Sequence, residues 1–317
     1  MNHPLALLGA LVLIGASWAL TFPLTKLAVL GGYRNFGIIF WSSAVGAIFL
    51  GLVVMLTTRH LPLNAAAIRR YVFVALCGTI LPSASSYTAA EYLPAGVISV
   101  AISLMPMMAL PLAMAAGIDS ATPGRVAGLA LGLAGVLLIA LPETSLPDRA
   151  AVAFIPLALA ATFFYALEGV GLGRIGRGGL DPVQLLFGAS ALSAALALPV
   201  ALANGTLVVP TQPYDSADVA LLVSGGVNAL AYCGYVWLVG RAGAVFAAQG
   251  AYIVTGFGVL WSMLLLGEVY SIWIWAAMAL IFAGLFLVQP RPRLPAVLVS
   301  AHGSATLGAG AAPECKE

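Results

Sequence analysis

The chain is cut into about ten apolar stretches of near-bilayer length, and this constrains its fold more than any other feature. A helix needs about 20 apolar residues to cross the hydrocarbon core. The stretches run approximately Leu5–Phe22, Phe36–Leu56, Tyr71–Ala90, Ala95–Ala116, Gly124–Leu141, Ala151–Leu172, Pro182–Ala203, Ala217–Val239, Ala242–Leu266 and Ile272–Val288. They are continuous rather than alternating, which fits helices and not barrel strands, since lipid leaves no other way to satisfy backbone N–H and C=O groups. Of 317 residues, 62% are hydrophobic and 8% charged, too few polar groups to wrap a water-soluble fold. No Lys or Arg precedes the first stretch and similar ones follow it, so it reads as a span and not as a leader.

The 13 basic and 11 acidic residues leave a net charge of +2, scattered without a patch, which argues against nucleic acid as a partner. Cys77 and Cys233 lie inside apolar runs and Cys315 in the tail; His3, His60 and His302 lie near the ends or in a loop. This spacing builds neither a disulfide framework nor a metal or haem centre, and no cofactor is expected. With the N-terminus in the cytoplasm, Arg59, Arg69, Arg70, Arg125, Arg174, Arg177, Arg241, Arg291, Arg293 and Lys316 fall inside, against Lys26, Arg34 and Arg149 outside. That bias predicts that both termini are cytoplasmic. Residues 291–317 read as a disordered cytoplasmic tail, with Arg291 and Arg293 as an interfacial anchor.

The stretches also repeat. Ala134-Gly135-Val136-Leu137-Leu138 resembles Ala283-Gly284-Leu285-Phe286-Leu287; Ser17-Trp18-Ala19 falls opposite Phe164-Tyr165-Ala166; Lys26 falls opposite Arg174, and Gly117 opposite Gly267, all at an offset of roughly 150 residues. Two halves, 5–142 and 151–290, would each hold five spans. An odd number of crossings turns the second half upside down, the inverted repeat of many secondary transporters.

Gly15-Ala16-Ser17-Trp18-Ala19 with Phe22 and Lys26, Ala90-Glu91-Tyr92-Leu93-Pro94-Ala95-Gly96 followed by Leu104-Met105-Pro106, Leu265-Leu266-Gly267-Glu268, and Ala283-Gly284 together resemble the EamA-type branch of the drug/metabolite transporter superfamily. The resemblance covers nearly the whole chain up to Pro290. It implies an all-α integral membrane protein of ten transmembrane helices in two EamA repeats, moving a solute across the cytoplasmic membrane. Two departures stand out. The Gly-Glu pair expected after the fourth span reads Gly117-Ile118-Asp119, and Gly256 stands where the ninth span would match Pro106; Gly loosens a helix without enforcing a bend as Pro does.

Glu168, inside the sixth stretch, is the leading candidate for chemistry, because an isolated carboxylate in hydrocarbon must be paired, protonated or facing water. It either carries a coupling proton or touches solute, or it pairs with Arg174 or Arg177 one or two turns on. Lys26 either binds a substrate carboxylate or snorkels to the headgroups. Trp18 and Tyr165, matched across the repeat, either wall a central cavity or pack against neighbours. Ser83, Tyr87 and Glu91 in the third stretch, and Asn228, Tyr232 and Tyr235 in the eighth, recur at helical spacing and should face inward. Gln249 and Tyr252 add a polar facet to the ninth. The expected substrate-binding set is therefore Trp18, Lys26, Tyr87, Tyr165, Glu168, Asn228, Tyr232, Gln249 and Tyr252, with no catalytic or metal-binding residue. Glu268 reads as structural at a helix end, and Gly124, Gly128 and Gly132 as a close-packing helix face.

With no ATP-binding motif, the expected activity is secondary transport of a small polar or amphipathic metabolite by alternating access, in either direction. One acid and one Lys among aromatics favour an amino-acid-like solute over a phosphorylated one. The alternatives are an integral-membrane lipid-modifying enzyme, which would want clustered acids or a nucleophile system, or a non-transporting sensor. The expected partners are the solute, membrane lipid and a coupling proton, in a monomer or homodimer.

Overall fold

The computed structural model describes residues 4–57, 60–243, 246–247 and 249–288. The tail from residue 289, Arg59, Cys315, His3 and His302 lie outside that range. Among the described residues the chain is helical, with no strand.

The first apolar stretch is α1 (Pro4–Ala19) continued by α2 (Thr21–Leu30), the second α3 (Asn35–Thr57). The third begins as α4 (Ala65–Val74), passes through a π-helical segment (Ala75–Ile80) and ends as α5 (Leu81–Tyr92). It starts earlier than its hydropathy predicts, because the Asn64 side chain caps α4 by accepting from the Ala67 amide at 2.8 Å. The fourth stretch divides into α6 (Ala95–Ile102) and α7 (Met105–Ala115), and the fifth is α8 (Pro123–Ala140). Then follow a 3-10 turn (Arg149–Phe154), α9 (Ile155–Ile175), α10 (Pro182–Ala203), α11 (Ser216–Ala242), α12 (Gly250–Leu266) and α13 (Ile272–Val288). Among the described residues, eight helical runs are long and apolar enough to cross a membrane. α12 and α13 are equally apolar but have 17 residues each, about 25 Å of helix.

Two interruptions differ between the halves. The fourth stretch breaks at Ser103-Leu104, where Pro106 has no N–H to offer Ile102. Gly256 keeps its N–H and sits within the unbroken α12. The ninth stretch, expected from Ala242, begins later: α11 keeps Ala242, Gly243 turns the chain at φ +85°, Phe246 and Ala247 are again helical, and α12 runs from Gly250.

Packing follows the repeat. The fifth and tenth stretches (α8, α13) pack together, as do the second and seventh (α3, α10) and the fourth and ninth (α6, α12). The first stretch packs on the eighth and ninth (α2 and α1 on α11, α1 on α12), and the sixth (α9) on the third and fourth (α5, α7). Exchanging the two halves maps this set of contacts onto itself.

Small residues bring the helices together while large ones face outward: Ala19, Ala89, Ala161, Ala189 and Ala277 are fully buried, whereas Leu5, Ile48 and Phe286 are 72–75% exposed, the reverse of a water-soluble protein and the surface that lipid requires. The α8–α13 seam is closest. A Cβ on Gly128 would lie 2.7 Å from the Gly284 carbonyl oxygen, and one on Gly284 2.6 Å from that of Gly128. Gly132 meets Met107 and Gly135 meets Ile281, but nothing lies within 4 Å of Gly124. The packing face is thus Gly128, Gly132 and Gly135, shifted from the expected triplet as the helical stripe drifts round the axis.

Candidate functional site

A cavity of about 550 Å³ lies where the halves meet, lined from both. Serine and threonine hydroxyls reach it from α3, α5, α6, α10 and α11, and among its described lining residues Glu168 alone is charged. A second hollow, of about 630 Å³, lies between α7 and α9, lined by apolar side chains such as Met108, Pro111 and Phe163. It offers no group to orient a polar solute, so the chemistry is in the first.

One wall is built by α1 and α11. The Trp18 indole N–H donates to Asn228 Oδ1 at 3.0 Å, and its ring meets Tyr232 and Tyr235 edge-on at 6.4 and 5.9 Å between centroids. Thr21 Oγ1, one turn on, donates to the Trp18 carbonyl at 2.7 Å, where the junction of α1 and α2 loosens the helical ladder. The Trp261 indole donates to the Ala16 carbonyl at 2.9 Å and ties α12 to the same junction.

The opposite wall is built by α9 and the third stretch. Ser83 is within side-chain hydrogen-bonding reach of both Tyr87 and Tyr165, and Ser42 of Tyr87. One turn beyond Tyr165, the Glu168 carboxyl lies over Gly78 in the π-helical segment, where a Cβ would come within 3.1 Å of Glu168 Cγ. A side chain at that position would press on the carboxyl, which would have to shift by a few tenths of an ångström. Among the described residues the ion pairs are Arg34–Glu91 (2.7 Å) and Arg125–Asp119 (2.6 Å), and neither involves Glu168. Arg174 donates instead to the Ala116 carbonyl at 2.8 Å.

Of the expected set, Trp18, Tyr87, Tyr165, Glu168, Asn228 and Tyr232 line the cavity, whereas Lys26, Gln249 and Tyr252 are not among its lining residues. Lys26 Nζ donates to the carbonyls of Ala90 (2.5 Å) and Leu93 (3.0 Å), at the C-terminal end of α5, where a cation complements the helix dipole. The Tyr252 ring packs edge-on against Phe282 at 5.4 Å, and Gln249 stands at the start of α12. Glu91 leaves the stripe of Ser83 and Tyr87 to pair with Arg34; eight residues carry a helical position about 80° round the axis, so a four-residue stripe does not hold over that distance. Tyr235, seven residues after Asn228, joins the cavity as its spacing foretold. Gly78 had no sequence signal, because a π turn leaves no mark in hydrophobic periodicity.

Beside Lys26, Glu268 caps another helix. Its carboxylate accepts from the amides of Ala95 (2.8 Å) and Gly96 (3.3 Å) at the start of α6, and from the Tyr270 hydroxyl. Gly267 at φ +66° ends α12 and turns the chain toward this position. The helix end that Glu268 serves is therefore α6 and not the tenth stretch it precedes. Its counterpart Asp119 follows Gly117 (φ +70°) by two residues, pairs with Arg125 and accepts from the amide of its own neighbour Ser120. Among the described residues, no three His, Cys, Asp or Glu side chains gather into a group that could hold a metal.

A lipid-facing bundle built twice around one polar cavity is the architecture of a membrane transporter. The EamA-like transporter family matches residues 5–141 and again residues 153–289, and the chain belongs to that family. A solved crystal structure is similar to it with a TM-score of 0.60 at 17% identity, covering 93% of this chain and 98% of that one, a likeness of fold. No curated protein matches it.

Proposed function

We propose that the protein is a secondary transporter that carries a small amphipathic metabolite across the cytoplasmic membrane by alternating access. On this reading all ten apolar stretches cross the bilayer, residues 5–142 and 151–290 are two five-helix halves of opposite orientation, and both termini are cytoplasmic. The observation that carries it is the cavity itself, which takes one wall from the first and eighth stretches and the other from the third and sixth, positions that the repeat exchanges. Glu168 is the site at which solute and a coupling proton compete. Both halves of the pathway lie in one chain, so a monomer suffices.

The bonds at the Lys26 end are those that must open on that side: Lys26 to Ala90 and Leu93, Glu268 to the start of α6, Arg34 to Glu91, and Tyr33 to Asp218. An amino-acid-like solute was favoured by Lys26 as a second charge, and Lys26 is held by backbone carbonyls outside the lining. Counterflow in proteoliposomes, preloaded from a panel of amines, amino acids and carboxylates, tests the function. Saturable uptake of labelled solute driven by the same unlabelled solute inside supports it. Turnover of a lipid by purified protein that moves no solute would replace it with an enzymatic reading.

A further inference from the structure

The charge pattern of the cavity selects among solutes. Its described lining holds one carboxylate, Glu168, and no Lys, Arg or His, while Trp18, Tyr87, Tyr165, Tyr232 and Tyr235 supply aromatic surface. Of the nearby cations, Lys26 is held on the end of α5 and Arg174 on the Ala116 carbonyl, while Arg177, just beyond α9, lies within electrostatic reach of Tyr232 but is neither in the described lining nor in an ion pair with Glu168 among the described residues. A carboxylate inside a membrane bundle needs a counter-charge or a proton, and aromatic faces attract cations. An acidic solute would bring a second negative charge to Glu168, and a zwitterion would leave its carboxylate with only hydroxyls to bind it.

We propose that the cavity takes an organic cation, an aromatic amine or quaternary ammonium compound whose charged nitrogen sits against Glu168 and whose body packs on the aromatic walls. The inference rests on the transporter reading only for the claim that this cation is cargo; binding itself does not require it. Both walls contribute. Tyr165 shares the Glu168 helix, and Tyr232 reaches from α11 into the field of the carboxylate, so a bound cation touches both halves of the repeat. The titratable groups facing Glu168 are Cys77 from the π-helical segment, Tyr165 from α9 and Tyr232 from α11. None of these carries positive charge, and the one cation felt nearby, Arg177, acts on Tyr232 and forms no ion pair with Glu168 among the described residues, so proton and cation compete for the same carboxylate.

The test is calorimetric binding to the purified full-length chain with four probes that share a phenyl ring and differ in charge: phenethylamine, trimethylphenylammonium, L-phenylalanine and phenylacetate. Both ammonium probes should bind at least about tenfold more tightly than the other two. Glu168→Gln should weaken them at least about tenfold, and Glu168→Asp should restore part of the loss. Acidification should weaken trimethylphenylammonium, whose charge is permanent, in wild type but not in Glu168→Gln. Thermal unfolding and gel filtration confirm that each variant is folded. L-Phenylalanine binding as tightly as phenethylamine, ammonium binding unchanged in folded Glu168→Gln, or no binding of either ammonium probe overturns the proposal. Counterflow with the same probes separates the two claims. Glu168-dependent ammonium binding without transport of any solute removes the carrier and keeps the cation site, whereas counterflow of L-phenylalanine without ammonium binding does the reverse.

Discussion

Trp18 on α1 and Tyr165 on α9 hold matching positions in the two repeats, and one turn further on the first wall has Thr21 where the second has Glu168. The first wall satisfies itself: Trp18 donates to Asn228, and Thr21 donates back to the Trp18 carbonyl. The second places a carboxylate over Gly78 without an ion-pair partner among the described residues. Duplication therefore supplies the shape of the cavity twice and its charge once. On the proposed reading, a symmetric frame would let the halves exchange roles, while one acid without an ion-pair partner among the described residues would give solute and proton a single place to meet.

The comparison depends first on the halves meeting as matched parts. Gly128→Leu and Gly284→Leu should each destabilise the protein by about 3 kcal/mol, and by similar amounts, since each new Cβ runs into the other helix's carbonyl. Gly124→Leu should change stability by less than about 0.5 kcal/mol. Unfolding in detergent measures all three, and a harmful Gly124→Leu would move the seam. The next effect separates the walls. Glu168→Gln should reduce counterflow at least about tenfold, equivalent to about 1.4 kcal/mol, whereas Trp18→Phe, which loses one hydrogen bond to Asn228, should cost about 1 kcal/mol. Equal losses would mean that the carboxylate does nothing the indole does not.

Glu268 and Asp119 extend the comparison to the ends of the fourth and ninth stretches. Glu268→Ala removes a helix cap and should lower stability by about 1–2 kcal/mol. The part-exposed Asp119–Arg125 pair should itself contribute less than about 1 kcal/mol, read from a double-mutant cycle of the two residues. The smallest effect is one of pH. Burial, together with the bond to Glu268, raises the Tyr270 hydroxyl above its ordinary value of 10.0. The folded chain thus keeps a proton that the unfolded chain releases, so this contribution is present below pH 10 and is lost as pH rises beyond it. The unfolding temperature should fall between about pH 9 and pH 11 less steeply in Tyr270→Phe than in wild type.

Much of this was legible from residue spacing. The stripe of Asn228, Tyr232 and Tyr235 lines the cavity because seven residues bring a helix back to nearly the same face. Trp18 and Tyr165 were found by their match across the repeat. The contacts of Lys26 were not legible, for a physical reason: the carbonyls it binds, at Ala90 and Leu93, lie more than 60 residues away, and sequence reports that a Lys is near a helix end but not which helix end it serves. Glu268 is the same case, capping a helix that begins at Ala95, far earlier in the chain.

By itself, the sequence determined the solvent, the helices and the doubling, because hydropathy and repetition are properties of the chain read in order. Only the tertiary structure decided which polar groups pair with one another and which face the cavity. Helix ends, cations and carboxylates find partners by proximity in space, and in a bundle folded from two repeats those partners lie on the other side of the molecule. Glu168 stands out for that reason: its neighbours in sequence offer Arg174 and Arg177, but the fold sends Arg174 to the Ala116 carbonyl and sets the carboxylate against a glycine.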